Sequence, residues 1–157
     1  MASNTIYKLV NARTKDMGSA GGQILLGHVY KTDAQGIPNG YLKNLKVSWL
    51  LSDVAGGATP ADNMPVAAAF YLSTSPWWSD DNIISSFATG PAGGTGYLTA
   101  KRRITTNATP DGDNDIASGT GGMIYLWGEV TDATATANVD IRVITETFGR
   151  YVEFAED

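Results

Sequence analysis

The feature that most constrains this chain is the punctuation of its apolar residues. They come in short runs, each closed by a cluster of Gly, Pro, Asn or Asp. Runs of that kind read as strands. Eight follow from the sequence: Thr5–Arg13, Gln23–Thr32, Leu45–Val54, Val66–Thr74, Ile83–Ala88, Tyr97–Thr105, Met123–Thr131 and Ala137–Thr147, with a short extension at Tyr151–Phe154. The turns between them are Met17–Gly22, Gln35–Gly40, Gly56–Pro65, Gly90–Gly96 and Asn107–Gly122. The last is long for a loop without structure of its own.

Alternation with period two is clearest late in the chain. Ile124, Leu126 and Val130 fall on one face, and Tyr125, Trp127 and Glu129 on the other. Val139, Ile141 and Val143 likewise oppose Asp140 and Arg142. A one-residue slip would bury Asp140 and Arg142, so the pairing register is well specified. One segment admits two readings: Ser79-Asp80-Asp81-Asn82 before Ile83 could cap one or two helical turns, with the aspartates at the positive end. The connections are too short for crossover helices, and no internal repeat or linker divides the 157 residues. The expected fold is therefore one all-β domain, an antiparallel eight-stranded sandwich, with jelly-roll order favoured over immunoglobulin-like order.

The residue inventory narrows the chemistry. With no cysteine, thiolate nucleophiles, disulfides and cysteine-ligated zinc are excluded. The single histidine, His28, sits mid-strand, and histidine-based catalysis needs a partner and an orienting third group. The carboxylates gather in loops (Asp80, Asp81, Asp111, Asp113, Asp115) or near the C-terminus, and nothing in the spacing sets two of them across a cleft. We therefore expect no enzyme. Gly90–Gly96 and Gly119–Gly122 are glycine-rich, but no phosphate-binding lysine follows either. Asp111, Asp113 and Asp115 alternate as the first ligands of a calcium loop do, which makes them a calcium candidate. The sixth and twelfth positions of that pattern are Ile116 and Gly122 where calcium loops carry Gly and Glu.

Two groups of side chains suit contact with another molecule. Trp77 and Trp78 stand at a strand end after Pro76, and Tyr125 and Trp127 point away from the aliphatic face of their strand. Outward Trp and Tyr anchor protein interfaces or stack on sugar rings, or else a loop of the same domain packs over them. Trp49, in register with Leu45, Val47 and Leu51, belongs to the core. Lys101, Arg102 and Arg103 place cations on both faces of one strand, which suits a sheet edge or an interface ion pair. Charge is also uneven along the chain. Residues 1–46 carry Lys8, Arg13, Lys15, Lys31, Lys43 and Lys46 against Asp16 and Asp33, although the whole chain has a formal net charge of -5. Such asymmetry fits either scattered solvated side chains or two faces that meet different partners. No arginine-rich arm is present, so tight or sequence-specific nucleic-acid binding is not expected.

The run of eight short strands from Thr5 to Phe154, with small uncharged residues and no catalytic set, resembles the single jelly-roll capsid proteins of icosahedral viruses. That resemblance implies a virion protein that self-assembles into a shell, with other virion proteins as partners and the host cytoplasm as the place of synthesis. The opening Met1-Ala-Ser-Asn-Thr-Ile6 has no secretory pattern, in keeping with this expectation. Many such proteins carry a basic arm that this chain lacks. The departure would suit a shell lining an internal membrane, a genome held by other proteins, or a decoration protein on a phage head. Contact with a membrane or genome would then fall to the basic N-terminal part. Phe70-Tyr71-Leu72-Ser73-Thr74 and Gly122–Asp132 are also similar to strands of immunoglobulin-like adhesion modules, which implies a carbohydrate-binding alternative through Trp77, Trp78 and Trp127.

Overall fold

The structure is a computed structural model. It describes residues 4–12, 22–32, 38–53, 68–89, 94–106, 114–117, 122–131 and 139–156, with 4–12, 50–53, 89, 117, 130 and 139–142 by their backbone alone. Ten strands are present among the described residues: β1 (Asn4–Ala12), β2 (Gln23–Lys31), β3 (Asn39–Asp53), β4 (Ala68–Ser73), β5 (Ile83–Thr89), β6 (Gly94–Thr105), β7 (Asp115–Ala117), β8 (Ile124–Val130), β9 (Val139–Arg150) and β10 (Val152–Glu156). All eight expected strands are there. The count rises to ten because β7 forms inside the expected loop Asn107–Gly122, and because the C-terminal extension pairs as a strand in its own right.

The strands form two sheets, β1-β9-β3-β6-β7 (sheet A) and β10-β2-β8-β4-β5 (sheet B). Every pairing is antiparallel except β6 with β7. The antiparallel partners nest: β4 with β5, around them β3 with β6, then β2 with β8, and outermost β1 with β9. Successive pairs fall in opposite sheets. β1 and β2 thus lie in different sheets.

The layers close on apolar side chains, among them Leu45, Val47, Leu98 and Val143 of sheet A and Leu26, Val29, Phe70 and Leu126 of sheet B. Trp49 joins them as expected. Its ring stacks at a tilt with Phe70 and Phe87, each centroid 5.4 Å away. Phe87 in turn lies over Gly96, where a Cβ would come within 2.6 Å of the ring. The segment before β5 is a single 3-10 turn, Asp80–Asn82, entered from an extended Ser79 (φ -158°). Strand therefore prevails over helix at Ile83, because its residues extend the β4 ladder.

Sheet A carries a bulge that widens from strand to strand. Phe148 and Gly149 are consecutive on β9, their partners Asn44 and Leu42 on β3 are separated by Lys43, and the partners of those, Thr99 and Arg102 on β6, are separated by Ala100 and Lys101. Lys101 takes up the extra length with φ 48°. At the narrow end the strands come so close that a Cβ on Gly149 would overlap the carbonyl oxygen of Tyr41. The chain then leaves sheet A at Tyr151 (φ 55°), whose carbonyl accepts from the Thr32 amide at 2.9 Å, and enters sheet B as β10.

Candidate functional site

The outer face of sheet B is aromatic and acidic. Register places Trp127 beside Tyr71 and Leu25, Tyr125 beside His28 and Ser73, and Glu129 beside Gln23 and Ala69. The His28 ring lies 6.0 Å from Tyr30 and 6.2 Å from Tyr125. Glu129 accepts from the Tyr71 hydroxyl at 3.1 Å and from the Gln23 amide, and Glu153 accepts from the Tyr30 hydroxyl at 2.7 Å. Burial is the main cause that pushes the Tyr71 phenol above its ordinary value of 10.0, and the hydrogen bond and charge of Glu129 add to it. No lysine or arginine occupies a described outward position of this sheet.

Over this face runs the segment 74–82, whose path is set by serines. The Ser75 amide donates to Ser73 Oγ at 3.1 Å and the Trp77 amide to Ser75 Oγ at 3.0 Å. The Ser75 carbonyl accepts from Trp127 Nε1 at 3.2 Å. Trp78 folds down edge-on against Tyr71 (4.9 Å) and Trp127 (5.7 Å). Trp127 does point outward, as alternation predicts, but its own loop covers it and leaves it 7% exposed. Trp78 and Tyr125 are half-buried, and Trp77 stands clear at 78% exposure with Asp80 and Asp81 exposed beside it. Of the aromatics expected to meet another molecule, Trp77 alone is fully presented. Tyr71, Tyr30, Glu129 and the two serines complete the site and were not singled out in the sequence. The outward parity of Tyr71 and the Ser-x-Ser-Pro stretch were the available signals.

The outer face of sheet A has the opposite character. Tyr97 is 57% exposed, and Tyr41 and Ile144 are each 40% exposed. Lys46 lies 6.0 Å over the Tyr97 ring and 4.0 Å from Glu146. The register flanks Tyr41 with Arg150 and Arg103, and Lys43 and Lys101 stand exposed at the bulge close by. The cluster Lys101, Arg102 and Arg103 is thereby divided. Lys101 faces solvent and Arg102 turns back to the Ala100 carbonyl at 2.9 Å. Arg103 grips Asp115 through Nε–Oδ1 (2.9 Å) and Nη2–Oδ2 (2.6 Å). Residues 94–102 of β6 form the sheet edge, since β7 pairs only with Arg103, Ile104 and Thr105.

Asp115 of the calcium candidate is therefore a buried partner of an arginine, while Asp111 and Asp113 lie outside the described residues. Among the described residues no three His, Asp or Glu side chains gather as a metal site would need. Likewise, no described helix is long and apolar enough to cross a membrane. Arg13 and Lys15 of the basic N-terminal part lie outside the described residues.

The class of protein that these features define is a two-sheet antiparallel β-sandwich. No family model matches the sequence, and no curated protein matches it. Among solved structures, the fold is similar to a chain of the cowpea mosaic virus top component, the naturally occurring empty particles, at 10% identity and a TM-score of 0.38, over 100% of this chain and 91% of that one. It is also similar to the tailspike protein of Acinetobacter baumannii phage AM24 at 8% identity and a TM-score of 0.32, over 98% of this chain and 28% of that one. Likeness at this level speaks to neither kinship nor function, so the functional reading rests on the strand order and the surface.

Proposed function

We propose that this chain is a jelly-roll structural subunit of a virion, which acts by assembling with copies of itself and with other virion proteins. The nested pairing of β1 with β9, β2 with β8, β3 with β6 and β4 with β5 supports jelly-roll order, an architecture used by viral shells and by lectins. The observation that carries the assembly reading is Trp77. A serine-pinned loop holds an indole at 78% exposure, so its rigidity is in place before any partner arrives. Covering a side chain of that size contributes about 3–5 kcal/mol.

The carbohydrate alternative keeps only that ring. Trp78 and Trp127 meet edge to face (interplanar angle 70°), and Trp127 is covered, so the three tryptophans offer no flat platform for a sugar. Light scattering and electron microscopy of the purified full chain test the proposal. Defined oligomers or shells are expected, and Trp77→Ala should shift them toward monomer. A strict monomer at high concentration and at every ionic strength would overturn it. Retention on a glycan array that is lost in Trp77→Ala would favour the alternative.

A further inference from the structure

The large exposed hydrophobic side chains of the described residues divide between opposite sides of the sandwich. Trp77 belongs to the loop over sheet B, which also exposes Asp80 and Asp81, while Tyr41, Tyr97 and Ile144 lie on the outer face of sheet A, where Lys43, Lys101 and Arg150 stand exposed around Tyr41. Among the residues whose side chains are described, the carboxylates of that second face, Glu146 and Asp115, are already held by Lys46 and Arg103, so the exposed charge described there is positive. Each side thus offers what the other lacks: an exposed indole with two exposed carboxylates three and four residues on, and an exposed apolar face with exposed cations at its Tyr41 end.

We propose that the Trp77 loop of one copy docks on the outer face of sheet A of a second copy, with Asp80 and Asp81 against Lys43, Lys101 and Arg150. The inference rests on the self-assembly reading and specifies its contact. The two surfaces face away from each other, so one two-fold interface cannot hold both. The contact is heterologous and repeats from copy to copy, which gives a ring where the rotation closes and an open filament where it does not. Charges at its rim steer encounter and set salt dependence, and Trp77 supplies the anchor.

The test uses the full chain and two charge-reversed variants, Lys43→Glu/Lys101→Glu/Arg150→Glu and Asp80→Lys/Asp81→Lys, with folding checked by circular dichroism and mass read by analytical ultracentrifugation. The altered side chains are exposed, so both variants should fold. Each alone opposes like charges across the contact and should associate at least ~10-fold more weakly than wild type. In an equimolar mixture alternating copies set opposite charges across each mixed contact, so association should return toward wild-type strength. If wild type assembles but neither variant weakens it, or the mixture stays dissociated, the proposed contact is wrong while self-assembly stands. A wild type that never assembles removes the reading beneath both. If wild type stays assembled while only the basic-face variant loses retention on a single-stranded oligonucleotide, that face serves nucleic acid and the contact is refuted.

Discussion

Truncating Trp127 to alanine tests whether the aromatic loop is part of the folded body or rests loosely upon it. The indole is 7% exposed, touches Trp78 at 5.7 Å and donates Nε1–H to the Ser75 carbonyl at 3.2 Å. Removing a buried aromatic ring costs about 3–5 kcal/mol, which in a domain of this size lowers Tm by roughly 6–20 °C. Trp127→Phe keeps a ring under Trp78 and gives up the donor, for a loss of about 1 kcal/mol from the hydrogen bond. Urea unfolding followed by far-ultraviolet circular dichroism measures both. Combining Trp127→Ala with Trp78→Ala should reveal a coupling of about 0.5–1.5 kcal/mol, the worth of an edge-to-face pair beyond its buried area. A loss below ~1 kcal/mol for Trp127→Ala, or strictly additive losses in the cycle, would refute the reasoning and make Trp78 as free as Trp77.

Gly149→Ala should lower stability by about 1–3 kcal/mol or more, because its Cβ meets the backbone of Tyr41 and Leu42, which cannot rotate aside; an unchanged urea midpoint would contradict this. Arg103→Ala leaves the carboxylate of Asp115, 3% exposed, without its fork, for a loss of about 1–3 kcal/mol. Arg103→Lys should restore part of it, since a lysine cannot reproduce the bidentate geometry; full recovery would mean that charge alone suffices. The raised pKa of Tyr71 means that the native state holds the phenol proton more tightly than the unfolded chain does. Its contribution is complete below pH 10.0 and is lost as pH climbs through the folded value. Unfolding free energies from pH 9 to 11 should therefore fall more steeply in wild type than in Tyr71→Phe, and parallel curves would disprove the effect.

Much of the fold was legible because alternation is a direct imprint of a two-faced strand. β2, β8 and β9 begin and end within three residues of their expected bounds. β3 was read six residues short at its start because the bulge breaks the pattern there. Leu42 and Leu45 both face the core across Lys43 and Asn44, a spacing of three that period two cannot accommodate. β7 left no trace, since three residues show no period, and backbone pairing and the Arg103–Asp115 grip hold it in place. In the site, parity gave the direction of Trp127 correctly. What covers it is a loop, and a loop's path over a sheet depends on hydrogen bonds such as those of Ser73 and Ser75, which parity does not encode. The opposite charge of the two outer faces came from register, which brings Lys43, Lys101 and Arg150 together from three strands.

The nested pairing has a consequence for the nascent polypeptide. The strand that joins β1 to β3 in sheet A is β9, and the partner that shields the outer edge of β2 is β10. On the ribosome, β1, β2 and β3 are all made before either of them, so their ladders stay open until those later strands emerge. Strands that must wait in this way are exposed to mispairing with neighbouring chains. Sheet A therefore cannot join β1 to β3, nor can β2 gain its outer partner, before residues 139–156 have emerged.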